Sequence, residues 1–176
     1  MGESQAVLSK GEYELRRGNK KEAYKKFIEA AEKCQENHEA HARIGEMFIE
    51  AKDYVKAHQH LETAIHYMPK RAKYYYLKGK IFYHEQQWEE ALNEFKRATT
   101  ENENEKEPVF FYMIAEMQFK LGDYDAAILN YRESEKMIYS YEQGKIKESE
   151  FSHESRVLAN VKRCFPANRT KSTRFF

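Results

Sequence analysis

A cysteine and four histidines in the first half of the chain are the side chains best suited to bind a metal ion. Cys34, His38 and His41 lie close together in sequence, and His58 and His60 follow in the next predicted helix. A structural zinc site needs four ligands that converge on one point, but residues two apart on a helix point to different faces. The spacing therefore predicts no metal site. We expect Cys34 to be a small buried residue and the histidines to be polar groups at the surface.

Sequence patterns that would indicate catalysis are missing. The chain contains no Gly-rich phosphate loop, no Gly-x-Ser-x-Gly turn and no His-Glu-x-x-His pair. Its 29 acidic residues are spread along the chain, many at spacings that suit ion pairs on helix surfaces. We therefore expect no catalytic residues, no cofactor and no enzymatic activity.

The composition indicates which elements must position any functional side chain. Only 7 of the 176 residues are Gly and 3 are Pro, whereas β-sandwiches, barrels and Rossmann sheets need frequent turn residues. The chain is therefore predicted to be all-α. It has no run of about 18 apolar residues, its start lacks an apolar signal-peptide core, and its two cysteines lie far apart. These features predict a cytoplasmic protein without an inserted membrane segment.

Small residues recur along the chain at a fixed interval. Ala23, Ala57 and Ala91 are 34 residues apart, and Ala127 follows after 36. Each alanine has a tiny residue twelve positions earlier and seven later, a large apolar residue four later, and a turn-favouring polar residue four earlier. The tiny residues are Gly11, Gly45, Gly79 and Ala115, then Ala30, Ala64, Ala98 and Ser134. The large residues are Phe27, Leu61, Phe95 and Tyr131, and the turn residues are Asn19, Asp53, Gln87 and Asp123.

Helix packing explains this frame of small and large residues. Two antiparallel helices approach closely where both carry side chains no larger than methyl, and a bulky residue fills the adjoining space. Each unit is thus predicted to hold two helices joined by a turn. The second helices should begin directly after the turn residues. The first helices should begin near Val7, His41, Tyr75 and Phe111.

The 34-residue spacing of tiny, Ala, large and Ala positions resembles the tetratricopeptide repeat. The resemblance implies an all-α, right-handed superhelical solenoid of antiparallel helix pairs over residues 1–165. The first repeat is the least typical, because Lys10, Glu14 and Lys20 stand where the family usually has apolar or aromatic residues. The four repeats fit residues 4–37, 38–71, 72–105 and 108–141.

Two further segments follow the repeats. Residues from about 146 to 165 return to helical spacing and are predicted to form a capping helix, because the last repeat of a solenoid otherwise exposes an apolar face. Residues 166–176 form a basic tail that contains no acidic residue and ends in Phe-Phe. The residues predicted to make tail contacts are Lys162, Arg163, Arg169, Lys171, Arg174, Phe175 and Phe176.

In the tetratricopeptide family, the first helix of each repeat lines the inner surface of the superhelix. The resemblance therefore implies a partner-binding groove along these helices. The candidate residues are Leu8, Leu15, Arg43, Ile49, Lys73, Tyr76, Lys80, Tyr83, Tyr112, Met113, Glu116, Phe119 and Lys120. Exposed aromatic clusters such as the one in the second half of this set are typical of binding sites. The alternative is that some of these side chains pack internally.

The predicted anchors are aromatic or apolar, and lysines surround them. Tyr76, Tyr83, Tyr112, Met113 and Phe119 are expected to contact the apolar side of an amphipathic helix or an extended peptide. The nearby lysines would attract acidic groups of the same partner. These lysines are Lys73, Lys80 and Lys120.

Family members that bind the C-terminal tails of Hsp70 and Hsp90 chaperones use a clamp of Lys, Asn and Arg around the terminal carboxylate. At the corresponding positions of this chain only Lys73 matches, and a terminal carboxylate would meet Glu12 and Glu46 instead of donors. Such chaperone tails are therefore disfavoured as partners. The positions that differ from the clamp hold Leu8, Glu12, Arg43 and Leu77.

The basic tail has two interpretations. It could bind an acidic surface, such as a nucleic acid backbone or the acidic part of a filament protein, or it could be a solvated end. The whole chain carries a net charge of only +1. Because the last 15 residues contain five basic residues and no acidic one, the part of the chain before them is mildly acidic. Nucleic acid is therefore disfavoured as the main ligand, and we also expect no stripe on which aromatic and basic residues alternate.

These observations predict a non-catalytic adaptor or scaffold for protein–protein interaction. It would bind a partner helix or peptide in its groove as a subunit of a larger assembly, and family use suggests ciliary, cytoskeletal or organellar assemblies. The alternative is an RNA- or ribosome-associated helical repeat protein that uses the basic tail. An accessory subunit that regulates an enzyme fits the sequence equally well.

Overall fold

The computed structural model describes residues 2–102 and 106–142, except for the side chains of residues 141 and 142. It divides into two compact units, Met1–Lys106 and Glu107–Phe176, which we call the first and second units. All regular structure in the described residues is helical.

In the residues that the structure describes, the first unit holds three helix hairpins and the second unit holds one. The helices of the first unit are α1 (Gly2–Arg16), α2 (Lys20–Lys33), α3 (His38–Glu50), α4 (Tyr54–Tyr67), α5 (Ala72–His84) and α6 (Trp88–Thr100). Those of the second unit are α7 (Pro108–Lys120) and α8 (Tyr124–Glu142). Each second helix begins directly after its predicted turn residue, which confirms the pairing of helices that the repeat predicts.

The first helix of every hairpin ends in the same hydrogen-bonded turn. In the second hairpin, the Lys52 N–H donates to the Ile49 carbonyl (3.1 Å) and the Asp53 N–H donates to the Phe48 carbonyl (2.9 Å). This pair of bonds is the Schellman motif, which places the residue after the helix cap in the left-handed region. Those residues are Gly18 (φ 82°), Lys52 (62°), Gln86 (61°) and Gly122 (84°).

The tiny and large positions of the repeat meet inside the first and third hairpins. A Cβ added at Gly11 would lie 2.5 Å from the nearest ring atom of Phe27. The same construction at Gly79 gives 2.5 Å to the ring of Phe95. Both distances are far below van der Waals contact, so the close approach of the two helices depends on glycine at these positions.

The other two hairpins solve the same packing problem with different side chains. In the second, a Cβ at Gly45 would lie 3.0 Å from Cγ of Leu61, which leaves more room than a phenyl ring does. In the fourth, Ala115 takes the tiny position and forms one buried cluster with Ala127 and Tyr131. The shared small residues therefore mark the helix–helix contact in each hairpin.

Aromatic rings join successive hairpins within the first unit. The ring of Tyr24 on α2 meets Phe48 on α3 edge to face, with centroids 5.9 Å apart. His58 on α4 meets Phe82 on α5 in the same way at 5.1 Å. The same positions of the repeat are thus used twice to stack one hairpin on the next.

A lysine that is only 12% exposed ties the second hairpin to the third. The Nζ atom of Lys78 on α5 lies 2.8 Å from Glu62 on α4 and 3.2 Å from Glu94 on α6. Burial works against the charged amine, but the two carboxylates raise the pKa of Lys78 above its ordinary value. Lys78 is therefore a charged, internally paired residue.

Three of the first helices begin three residues earlier than the sequence predicts, and α1 begins five earlier. Helix α3 begins at His38 because the Asn37 side chain accepts a hydrogen bond from the Ala40 N–H at 3.0 Å. Helix α7 begins with Pro108, whose fixed φ suits the first helical turn. These caps extend the helices beyond the apolar pattern.

Two predicted segments cannot be compared with the structure. The capping helix of about residues 146–165 and the tail of residues 166–176 lie outside the described residues. Within residues 2–102 and 106–142, no helix combines the length and the apolar character that crossing a membrane requires.

Candidate functional site

Four charged side chains from three first helices form one network in the first unit. Arg43 on α3 contacts Glu12 on α1 through Nε (2.5 Å) and Glu46 on its own helix through Nη1 (2.9 Å). Lys73 on α5 approaches the same Glu46 oxygen at 3.6 Å. Arg43, a predicted groove residue, is therefore already paired with two carboxylates.

Burial and charge act in opposite directions on this network. Burial disfavours the charged form of Glu46, but Lys73, Arg43 and Lys80 together lower the pKa of its carboxyl. Burial likewise works against the charged form of Arg43, yet Glu46 and Glu12 raise the pKa of its guanidinium. Glu46 and Arg43 are therefore both ionised at neutral pH.

The network lines an open depression of about 170 Å³ in the first unit. The buried Leu8 contributes an apolar wall, and the Gln5 amide beside it donates a hydrogen bond to Glu39 at 3.2 Å. Acidic and basic residues are equally numerous in the lining, so the depression has no excess of positive charge. The acids are Glu12, Glu39 and Glu46, and the bases are Arg43, Arg71 and Lys73.

Helix α5 presents a different surface. Lys73, Tyr76, Lys80 and Tyr83 follow one another at intervals of three, four and three residues, so they share one face of the helix. We call these four residues the α5 stripe. Helix α5 contains no acidic residue. The expectation that aromatic and basic residues do not alternate along a stripe is therefore wrong for this helix. The alternation is not visible between neighbouring residues of the sequence, because it involves residues three or four positions apart that share one helix face.

Ring contacts with α6 hold the two tyrosines of the α5 stripe. Tyr76 packs against Phe95 and Tyr83 against Trp88, each with ring centroids 5.8 Å apart. The Lys80 ammonium lies 5.9 Å from the centroid of the Tyr76 ring, within the range of a cation–π interaction. Among the described residues Lys80 has no ion-pair partner within 4 Å, unlike Lys73.

In the second unit, one of the predicted anchors is held by contacts between α7 and α8. Tyr112 is half-buried, and its ring meets Tyr131 edge to face at a centroid distance of 5.7 Å. The Tyr131 hydroxyl donates a hydrogen bond to the carboxylate of Glu116, another predicted groove residue. Tyr112 and Glu116 are thus positioned by the same tyrosine.

The other predicted residues of α7 differ in exposure. Phe119 has 55% of its surface exposed, and its ring contacts Tyr124 at 5.3 Å. Met113 is half-buried and Lys120 is exposed. Helix α7 therefore offers both an exposed ring and a cation near its C-terminal end.

Three aliphatic residues of the predicted groove belong mainly to the packing of the first unit. Leu8 and Ile49 are only 3% and 4% exposed, and each lies in a core cluster. Leu15 is half-buried and packs against the cluster that contains Leu8. These residues pack beneath the surface and expose little area to a partner. For them, the alternative given by the sequence, that some predicted groove residues pack internally, is the correct one.

Two histidines that the sequence places at the surface instead form a half-buried pair. The Nδ1 atoms of His41 on α3 and His60 on α4 are 3.1 Å apart, and His60 stacks on Phe48. The His41 Nε2 atom lies 3.2 Å from the Gln35 carbonyl, so it must donate its proton there. In the neutral pair, His41 Nδ1 is then the acceptor and His60 Nδ1 is the donor.

Burial lowers the pKa of both members of this pair. For His60 the neighbouring His41 adds to the effect, whereas for His41 the hydrogen bond to the Gln35 carbonyl acts in the opposite direction. The surface expectation is therefore wrong for these two residues. No periodicity in the sequence marks them, because they lie 19 positions apart on two helices.

The other candidate metal ligands have separate surroundings. His58 contacts Phe82 and His60 contacts His41, which confirms that the two residues face different neighbours. Cys34 is half-buried rather than buried. In the part of the chain that the structure describes, no three residues of the types His, Cys, Asp or Glu are arranged to hold a metal ion.

Known proteins share the fold at low sequence identity. Residues 50–134, slightly less than half of the chain, match the family model for "Anaphase-promoting complex, cyclosome, subunit 3". No curated protein sequence matches the chain.

Solved structures match over most of the chain. A MamA structure from Desulfovibrio magneticus RS-1, spanning residue 41 to the end, is 19% identical, with a TM-score of 0.66 over 78% of this chain and 76% of that one. A crystal structure of MamA protein is 14% identical, with a TM-score of 0.65 over 100% of both chains. The first TPR of Spaghetti (RPAP3), bound to the HSP90 peptide SRMEEVD, is 16% identical, with a TM-score of 0.61 over 68% of this chain and 93% of that one.

The helix hairpins, the small residues at their contacts and these structural matches agree with one another. The chain has the tetratricopeptide-repeat fold, an all-α solenoid of helix hairpins.

Proposed function

We propose that the chain is a non-catalytic protein-interaction adaptor that binds a segment of a partner protein along the first helices of its hairpins. It works without a cofactor, in the cytoplasm, as a subunit of a larger assembly. Ciliary, cytoskeletal and organellar assemblies are the candidates. The basic tail or another face would bind a second component, so that the chain bridges the two.

The single observation that carries this proposal is the α5 stripe. Tyr76 and Tyr83 are half-buried against α6 yet lie on the same helix face as two lysines. Aromatic side chains held in place by ring contacts lose little conformational entropy on binding, which favours their use as anchors. The structure of RPAP3 with a bound peptide supports the use of this fold for peptide binding.

Chaperone tails are disfavoured as the partner. The lining of the depression supports this part of the proposal, because Glu12 and Glu46 engage the Arg43 donors that a terminal carboxylate would require. Of the clamp positions, Leu8 and Leu77 are also buried, at 3% and 1% exposure. An HSP90 peptide should therefore bind the RPAP3 domain and not this chain.

A co-purification experiment tests the adaptor proposal. The tagged chain would be purified from its native cells beside a Tyr76→Ala, Tyr112→Ala variant and a form that ends at Phe165, and bound proteins would be identified by mass spectrometry. We expect at least one partner to be lost with the double variant and a different one with the truncation, because the two changes remove different surfaces.

Two exposed tyrosines outside the proposed groove provide the matched control. Tyr13 and Tyr139 are 55% and 62% exposed, so a Tyr13→Ala, Tyr139→Ala variant removes the same atoms from elsewhere on the surface. Circular dichroism should show equal helix content in both variants. Retention of every partner by the Tyr76, Tyr112 variant would contradict the proposed groove.

An RNA-associated function is the second candidate, and the alternation of Lys and Tyr along α5 favours it. Binding to phosphates falls steeply as salt rises, whereas an apolar groove is less sensitive. Partners that dissociate between low and physiological salt, or that disappear after ribonuclease treatment, would support this candidate instead.

A further inference from the structure

We propose that the α5 stripe selects an acidic segment of a partner protein, with one carboxylate placed between two apolar side chains. This inference rests on the proposed function and specifies the class of partner. The carboxylate would pair with Lys80, and the apolar side chains would contact Tyr76 and Tyr83.

The distribution of ion pairs among the three lysines of α5 identifies Lys80 as the receiving cation. Lys78 is 12% exposed and lies between two carboxylates of the neighbouring helices. Lys73 has Glu46 at 3.6 Å. Lys80 has no carboxylate within 4 Å among the described residues and lies 5.9 Å from the centroid of the Tyr76 ring, although its charge also helps to lower the pKa of Glu46. A partner carboxylate therefore gains most at Lys80, where it displaces no existing ion pair.

Glu46 acts as an internal carboxylate that limits how much negative charge the surface accepts. It is 23% exposed, pairs with Arg43 and Lys73, and stays ionised because those cations lower its pKa. An incoming acid beside Lys73 would face this fixed negative charge. The surface thus accepts one acidic group at Lys80 and opposes a second one at Lys73.

The acidic residues beside the α5 stripe argue against a polyanion, such as a nucleic acid, as its ligand. Glu12, Glu39 and Glu46 line the depression next to the stripe, and a nucleic acid strand would bring regularly spaced phosphates close to them. Because these acids balance the three bases of the lining, the depression offers a polyanion no net attraction, whereas a peptide with a single carboxylate needs only Lys80. Charge complementarity therefore favours an acidic protein segment over RNA.

The spacing of the stripe sets the spacing of the partner's side chains. Tyr76 and Tyr83 are seven residues apart, or about 10 Å along a helix. A partner segment in the polyproline II conformation advances about 3.1 Å per residue with three residues per turn, so two apolar side chains three positions apart share one face and would meet both rings. The acidic residue lies between them, opposite Lys80.

A display library of random short peptides, selected on the full tagged chain, tests this inference. We expect the enriched peptides to share an acidic residue between two apolar ones, and a representative peptide to lose about tenfold in affinity on the Lys80→Glu chain. Selection on that chain should instead enrich Lys or Arg between the apolar residues. The Glu46→Gln chain should tolerate a second acidic residue in the peptide.

Lys96 provides the control, because it is exposed on α6 and outside the stripe. The Lys96→Glu chain should enrich the same peptides as the unchanged chain. Enrichment of peptides without acids, an unchanged selection on Lys80→Glu, or no enrichment at all would overturn the inference. So would Lys80-dependent binding of a single-stranded RNA oligonucleotide that exceeds peptide binding.

Failure of this inference is distinguishable from failure of the proposed function. If native partners stay bound to the Lys80→Glu chain but leave the Tyr76→Ala, Tyr112→Ala chain, the adaptor function stands and the acidic partner is wrong. If acidic peptides are selected but neither variant changes the native partners, the stripe binds such peptides and the adaptor proposal fails.

Discussion

The two sides of helix α5 follow different rules. On the side that packs inside the hairpin, Gly79 lies against Phe95, and equivalent glycines lie against Phe27 and Leu61 in the other hairpins of the first unit. On the outer side, Lys73 and Lys80 have counterparts of other chemical types in α1 and α3. Helix packing thus dictates the repeated residues, and the exposed residues that differ between repeats are those for which we propose a role in partner binding.

Substitution at Gly79 should give the largest effect on stability and would sharpen this contrast. In Gly79→Ala the new methyl would overlap the Phe95 ring, since the Cβ position is 2.5 Å from it. Overpacking typically costs about 1–3 kcal/mol, partly offset by about 1 kcal/mol of better helix propensity. We expect the free energy of unfolding, measured by urea denaturation, to fall by up to about 2 kcal/mol.

The second hairpin suggests the control for this substitution. Adding Phe95→Leu to Gly79→Ala reproduces the roomier Gly45–Leu61 arrangement in part, so the double variant should recover stability relative to the sum of the two single changes. Additive losses would show that the glycine and the ring do not depend on each other.

A smaller effect, of opposite sign, is expected at the turns that follow the first helices. Lys52 has a left-handed φ of 62°, where Gly18 and Gly122 occupy the same position of other hairpins. Lys52→Gly should therefore raise the free energy of unfolding by about 0.5–1 kcal/mol, because the side chain no longer strains the turn. Chemical denaturation measures this gain, and Lys52→Ala, which keeps the strain, should show none.

The smallest expected effect concerns the His41–His60 pair. Both pKa values are lowered in the folded chain, so the unfolded chain binds more protons once the pH drops below its ordinary histidine pKa of about 6.5. The contribution of this pair to the free energy of unfolding should therefore be fully present above about pH 6.5. It should decline as the pH falls and stop changing once the pH is below the pKa values of the folded chain.

Denaturation curves at several pH values check this prediction against a His60→Gln variant. The unchanged chain should lose more stability than the variant as the pH is lowered through the histidine range. Equal losses in both chains would mean that the pair contributes nothing to the pH dependence. Carboxylates with lowered pKa, such as Glu46, affect both chains alike at more acidic pH.

The fold was predictable because its rule is local and recurs. Each glycine or alanine at the helix contact lies a fixed number of positions from its large partner, as Gly79 does from Phe95. The left-handed residues Lys52 and Gln86 were less visible, because the turn tolerates side chains other than glycine. The periodicity of the sequence therefore predicts the helix hairpins, but it does not identify every residue that adopts a left-handed conformation in the turns.

The candidate site was predictable only in part. The positions of Tyr76 and Lys80 follow from the repeat register, but the pairing of Arg43 with Glu12 joins residues 31 positions apart and depends on how hairpins stack. The His41–His60 pair likewise depends on the packing of two helices. These two pairs depend on the packing between helices, and no periodicity of the sequence marks them.

The surroundings of Lys78 have a consequence for covalent chemistry. Acylating reagents and lysine acetyltransferases need an accessible, deprotonated amine, but Lys78 is 12% exposed and its carboxylate partners raise its pKa. The folded chain therefore protects this amine, whereas Lys80, two residues further on, has no such pair. An acetyl group placed on Lys78 before folding would leave Glu62 and Glu94 facing a neutral side chain, so the modification state of one lysine would record whether the second and third hairpins had already come together.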